Sequence, residues 1–186
     1  PGAVLEQLRV GGLRGGAISV RPAVRALHFA PLGNSPGITG LSGELRGDGD
    51  GLAFNFDAAS KMRFDWPRGF GVAHAVGLRG EAIGWREGDG WRVETHALRI
   101  DGEGYGADVR GGMWFEGDGT APRVDVAADL DDATAPVAKH FWIRHMMSPA
   151  LVDWLDTALV AGQVRDGRAV IAGDLDDWPF KSAAGA

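Results

Sequence analysis

SPALVDWLDTALVAGQVRDGRAVIAGDLDDWPF, residues 148–180, contains a helical and an extended periodicity side by side. Ser148 suits an N-cap, and Pro149 suits the first helical position, where a missing N–H costs nothing. Leu151, Leu155 and Leu159 recur every four residues, with Val152 and Ala158 beside them, so one face is apolar at helical spacing. Asp153 and Asp156 fall between them, and Gly162 stands where a helix should stop. The spacing predicts a helix about 20 Å long at 1.5 Å per residue, with its leucines buried on a sheet. From Arg168 the period changes to two. Ala169, Ile171, Gly173 and Leu175 take one side and Arg168, Val170, Ala172 and Asp174 the other, which is a strand. Asp176-Asp177-Trp178-Pro179-Phe180 ends it, because Pro179 cannot donate to a ladder. The expectation is a helix laid on a sheet, then a return into that sheet.

Upstream, the same two-residue period recurs between turns. Val4 to Val10 and Ala17 to Arg21, separated by Gly11-Gly12 and Gly15-Gly16, read as a first hairpin. Pro22 starts the next segment, and Ala23 to Phe29 reads as a strand. A loop holds Pro31, Gly33, Asn34, Pro36 and Gly37. Ile38 to Arg46 is the next strand, with Leu41, Gly43 and Leu45 on one face, and Gly47-Asp48-Gly49-Asp50-Gly51 is a hairpin turn. Leu52, Phe54 and Phe56 then alternate with Asn55 and Asp57. Met62, Phe64 and Trp66 repeat the pattern before Pro67. Val76 and Leu78 share a face with Gly80 and Ala82, and Glu87-Gly88-Asp89-Gly90 turns into Trp91, Val93, Thr95 and Ala97. Ala107, Val109, Gly111, Met113 and Phe115 follow, then a turn at Gly117-Asp118-Gly119, then Val124, Val126, Ala128 and Leu130. Turns arrive about every 10–15 residues, the mark of an antiparallel meander. Asp131 to Pro136 is a polar break, and Ala138 to Met147 reads as a short helix.

Composition bounds the function. A chain of 186 residues can bury a core. Thirty glycines are more than double the ordinary share of ~7%, and they punctuate apolar runs rather than forming a low-complexity tract. The net charge of −6 gives no basic footprint for nucleic acid. Without cysteine there is no disulfide scaffold, zinc–thiolate site or cysteine nucleophile. No run approaches the 18 apolar residues that read as a membrane span.

Each local motif resembling chemistry has a plainer reading. Asp48-Gly49-Asp50-Gly51 resembles a calcium loop, yet its twelfth position is Ala59 rather than a bidentate Glu, so it reads as a turn. Gly102-x-Gly104-x-Gly106 is not followed by the helix start a dinucleotide needs. His28, His74, His96, His140 and His145 form no ligand motif, and His140 and His145 are five apart, poor spacing for one helix face. No serine stands in a nucleophile elbow. Asp131-Asp132 and Asp176-Asp177 are adjacent pairs, which point to opposite faces of an extended chain. No enzyme activity, no metal and no cofactor are expected.

Seven Trp and eight Phe fit either a packed core or something more open. About 25 helical residues between Ala138 and Ala161 are too few to cover eight or more strands. The sheet therefore folds over on itself as a sandwich or barrel, or it leaves an open groove for an apolar ligand.

Three stretches resemble one family. VDWLDTALVAGQVRDGRAVIAGDLDDWPF (152–180), PVAKHFWIRHMMSPALVDWLD (136–156) and PGITGLSGELRGDGDGLAFNF (36–56) are similar to parts of YhdP-type proteins of the AsmA-like, TamB-related family, across roughly residues 36–66 and 133–180. The resemblance implies an open groove, so the expected fold is mainly β. A long antiparallel, twisted and curved sheet would carry one or two short helices near its C-terminal part. It implies one segment, 1–186, of a longer chain, with a helical insertion at about 134–161 and a returning strand at about 163–175. It further implies an inner-membrane-anchored envelope protein whose periplasmic groove carries glycerophospholipid towards the outer membrane. The expected partners are acyl chains and the preceding and following β segments of the same chain, with any membrane anchor outside this segment. The lipid-facing residues expected from alternation are Leu52, Phe54, Phe56, Val93, Val109, Met113, Phe115, Val124 and Val126, on one concave face. The alternatives are a structural or assembly module of the envelope with a closed β core and, more remotely, a carbohydrate-active β-sandwich.

Overall fold

The computed structural model describes residues 2–12, 18–33, 35–142 and 147–177. The Gly15-Gly16 spacer, Asn34, His145 and the Trp178-Pro179-Phe180 stop lie outside them.

The chain forms one large sheet and a short helical excursion. The strands are β1 (Gly2–Gly12), β2 (Ile18–Phe29), β3 (Gly37–Gly47), β4 (Gly51–Phe56), β5 (Lys61–Asp65), β6 (Ala73–Glu87), β7 (Gly90–Gly102), β8 (Tyr105–Phe115) and β9 (Arg123–Leu130). After β9 come the short strand β10 (Ala133–Thr134), a 3₁₀ segment (Ala135–Phe141), the helix α1 (Pro149–Ala158), β11 (Gln163–Val164) and β12 (Gly167–Asp174). Ten strands make one antiparallel sheet in the order β1-β2-β3-β4-β6-β7-β8-β9-β12, with β5 bridging β3 and β6, and β10 and β11 pair separately. Nearly every hairpin joins sequence neighbours, so the fold is the expected meander; among the described residues no strand pairs with the outer edge of β1 or of β12, and the sheet does not close into a barrel.

Local chemistry explains the turns. The Asp48 carboxylate accepts the N–H groups of Asp50 and Gly51 at 2.9 and 3.0 Å, which closes the β3–β4 turn. These bonds hold its carboxyl below the usual range. Gly88, at φ 63, turns β6 into β7.

Irregularities bend the strands. β7 carries one extra residue between Thr95 and Leu98, with Gly80 (φ 130) opposite on β6 and Gly111 (φ 118) opposite on β8. A Cβ at either glycine would clash with a carbonyl of the neighbouring strand. Extra residues also fall in β1 at Gln7 (φ 52), β2 at Ala26 (φ 52) and β3 at Gly40 (φ 83). Bulges in adjacent strands bend and twist a sheet along a common line. Pro22 does not begin a strand. It lies inside β2, in the irregular stretch opposite Gln7, where its missing N–H breaks no regular ladder.

The core is thin. Val24, Val76 and Val124 are the buried apolar residues among those described, at 5, 6 and 7% exposure. Extensive contacts between elements join only neighbours in a sheet, or β10 to the 3₁₀ segment. A buried Val124 with no described layer above it indicates a sheet curled over its own side chains.

The helix corrects the expectation drawn from its leucines. Ser148 does cap it, accepting the Leu151 N–H at 3.3 Å. It ends at Ala158, so it is about 15 Å long at 1.5 Å per residue, and Leu159 is its C-cap. It does not lie on the sheet. No residue in it is buried; Leu151 is 43% and Trp154 64% exposed, while Leu155 and Leu159 are half-buried. Its described ties run to the 3₁₀ segment, where Lys139 Nζ donates to the Asp156 carbonyl at 2.7 Å. Leu175 leaves the strand for a short 3₁₀ turn, Leu175–Asp177.

Candidate functional site: an apolar sheet face with a covered corner

Register decides which side chains share a face. Leu52 pairs with Gly84, Gly84 with Val93, Val93 with Met113, Met113 with Val124 and Val124 with Gly173. Phe54 lies between Leu45 and Ala82, and Phe56 lies beside Gly43. Phe115 faces Trp91, Val126 lies between Gly111 and Ile171, and Val109 lies between Leu98 and Ala128. The structure therefore brings Leu52, Phe54, Phe56, Val93, Val109, Met113, Phe115, Val124 and Val126 to one face. Leu52, Val93 and Phe115 remain 40, 37 and 41% exposed on it, while Val124 is buried. The Phe54 and Phe56 rings meet edge to face at 5.1 Å.

Alternation alone misassigned one stretch. The extra residue in β7 takes Ala97 off this face and puts Leu98 and Ile100 there, opposite Val109 and Ala107. Leu45, Leu78, Trp91 and Ile171 also belong to the face, and strand pairing is what reveals them.

The opposite face is polar and cross-linked. Arg25 pairs with Glu6 and Asp57 at 3.4 and 3.5 Å, Arg46 pairs with Glu81, and Arg110 meets Asp129 at 2.7 Å. The Arg92 guanidinium stacks 3.3 Å from the Trp114 ring centroid, and Trp114 Nε1 donates to Glu87 at 2.6 Å. Arg99 joins Asp101, Asp108 and Asp131. Its hydrogen bonds hold the Asp131 carboxyl below the usual range. Two shallow depressions, about 450 and 380 Å³, lie mainly on this polar side, one lined by Arg25, Glu44 and Asp57, the other by Arg92, Arg110 and Asp125. Each contains one engaged ion pair, Arg25–Asp57 in the first and Arg92–Glu94 in the second; the apolar face is a continuous surface rather than a bounded pocket.

One corner of the apolar face is covered. Phe64 and His74 pair across β5 and β6, and Tyr105 begins β8 on the same side. Phe141, the last residue of the 3₁₀ segment, lies flat on His74, with centroids 5.4 Å apart and 14° between planes, and edge-on to Tyr105 at 4.7 Å. Phe70 meets Phe64, Trp66, His74 and Phe141 at 5.3 to 6.2 Å. His74 is 8% exposed, and its Nε2 has no hydrogen-bond partner. Burial is the first cause that pushes its pKa below the ordinary 6.5, and His140 adds to it by charge; a hydrogen bond to the His140 backbone acts the other way. Burial likewise raises the Tyr105 phenol. The cluster was illegible in sequence because His74, Tyr105 and His140 lie far apart along the chain. The alternation of β6, which puts His74 in phase with Val76 and Leu78, was its only signal.

The YhdP protein family model matches residues 5–186. The chain belongs to the YhdP family. No curated protein and no solved structure matches it. Membership of the YhdP family is consistent with an envelope protein of the lipid-transport type. Among the described residues, no helix is long and apolar enough to cross a membrane.

Proposed function

We propose that the apolar face carries the acyl chains of glycerophospholipid, and that the chain is a segment of a bridge-like lipid-transfer protein running through the periplasm from inner to outer membrane. One observation carries the reading: an apolar face spans the sheet strand after strand, and no described layer covers most of it. Each CH₂ taken out of water contributes about 0.8 kcal/mol, so a hydrocarbon chain needs a continuous apolar surface rather than particular side chains. Such a site asks for no catalytic group, and its role is binding, not catalysis. The polar face, tied by ion pairs, keeps the other side in water. The outer edges of β1 and β12 have no described strand beside them, and neighbouring β segments of a longer chain would extend the sheet there.

The test is native mass spectrometry of the gently purified protein, followed by lipid extraction. Co-purifying phospholipid that is lost when the apolar face carries charges supports the conduit. A lipid-free protein of unchanged fold points to a structural module of the envelope.

A further inference from the structure

The residues between β9 and α1 do more than connect. Asp131 leaves β9 anchored to Arg99, and its N–H donates to the Gly106 carbonyl at 2.9 Å. Ala135 N–H donates to the Gly162 carbonyl at 3.0 Å, and Lys139 reaches the end of α1. Val137 passes the β7–β8 turn, where a Cβ on Gly104 would lie 3.4 Å from its methyl. The segment then folds back over the sheet and sets Phe141 against His74, Tyr105 and Phe70. Phe141 therefore occupies apolar surface in line with Val76 and Leu78, the same surface that hydrocarbon would cover.

We propose that Ala135–Phe141 is a strap that competes with cargo for the His74 corner of the apolar face, with Phe141 as its latch. This rests on the acyl-chain reading of the face and adds its regulation. The latch suits a movable part. It is a short 3₁₀ segment with no buried residue, and Phe141 itself is 38% exposed. Ala135 holds the start of the segment, and Lys139 and the His140 backbone, which hydrogen-bonds His74, hold it near its end, where Phe141 makes the aromatic contact.

The seat also answers to acid. From the strap, His140 faces His74 at 6.1 Å, and from β8 the neutral Tyr105 faces it at 6.3 Å. β5 and the turn after it present Phe64 and Phe70, which carry no charge. Protonating His74 would put a charge among these rings with Nε2 unpartnered, and a charged His140 would repel it. The strap is thus latched above the ordinary histidine range and loosened below it.

The experiment uses the full-length protein with a photo-crosslinking residue at Leu78, four residues along β6 from His74 on the same face, or at Phe115, on the open side. The probe is vesicles of phosphatidylethanolamine and phosphatidylglycerol. Phe141→Ala should raise lipid crosslinking at 78 about 2- to 10-fold, the range one lost aromatic contact sets, and leave 115 unchanged. Moving the parent from about pH 7.5 to about pH 5.5 should raise labelling at 78 in the same direction, and His74→Phe should abolish that response while keeping the fold. Labelling at 115 with no rise at 78 under either change overturns the strap and leaves the conduit standing. Labelling at neither position in any protein overturns the conduit reading and the strap with it.

Discussion

The Leu52–Val93–Phe115 side of the sheet and the His74 corner start from the same material. Both come from strands that alternate apolar with polar or small residues, and both lie on the same face. On the first side the apolar side chains stay about 40% exposed, and only sheet neighbours flank them. At the corner, Phe70 and Phe141 close over His74, which falls below a tenth exposed, as does Val76 next in phase on the same strand. The difference is not hydrophobicity but the presence of a covering segment. The curl of the layer buries single residues such as Val124 by itself, and at the corner a returning segment adds cover from above.

This contrast predicts different responses to the same insult. The largest effect belongs to a charge in the corner. Val76→Asp should lower stability by several kcal/mol, because the carboxylate has neither water nor a partner there. Chemical denaturation checks it, and a loss below about 1 kcal/mol would show that the corner is as open as the rest.

The next effect is the pH dependence of the corner. His74 has a folded pKa below its ordinary 6.5, so the unfolded chain takes up a proton that the folded chain resists. The contribution is fully present above pH 6.5 and is lost progressively as pH falls from there towards the lowered folded value. Melting temperatures across that window should fall in the parent and less in His74→Phe; equal slopes would remove His74 as the cause.

The smallest effect concerns α1. Leucines at four-residue spacing promised a buried stripe, and a packed leucine truncated to alanine costs about 2–5 kcal/mol. The helix touches the strap rather than the sheet and buries none of its residues, so Leu155→Ala should cost about 1 kcal/mol or less. A larger loss would place a partner over that helix face.

The sequence made the meander and its apolar parity legible because both follow from local alternation and turn chemistry. Gly47–Gly51, Gly88 and Gly104 mark hairpins through side-chain and backbone properties that need no tertiary knowledge. Ser148 marks the helix start for the same reason. Bulges were not legible: one extra residue in β7 replaced Ala97 by Leu98 and Ile100 on the apolar face, and nothing in the local pattern announces it. Where the helix packs was not legible either, since an apolar stripe states that a face seeks cover but not which surface supplies it. The aromatic corner depends on returning a segment from residue 141 to residue 74, a long-range contact invisible to any window along the chain.

The central claim is that the Leu52–Val93–Phe115 side is an open surface for hydrocarbon, and Phe115→Asp tests it most directly. The variant's melting curve is paired with photo-crosslinking to phospholipid from Trp91, which faces Phe115 across β7 and β8. An open face should leave the melting curve nearly unchanged, within about 1 kcal/mol, while crosslinking from Trp91 falls sharply, because a charge in contact with hydrocarbon costs several kcal/mol. A domain that unfolds on this substitution, together with a parent protein that never crosslinks to lipid from Trp91, would contradict it and leave a closed structural module.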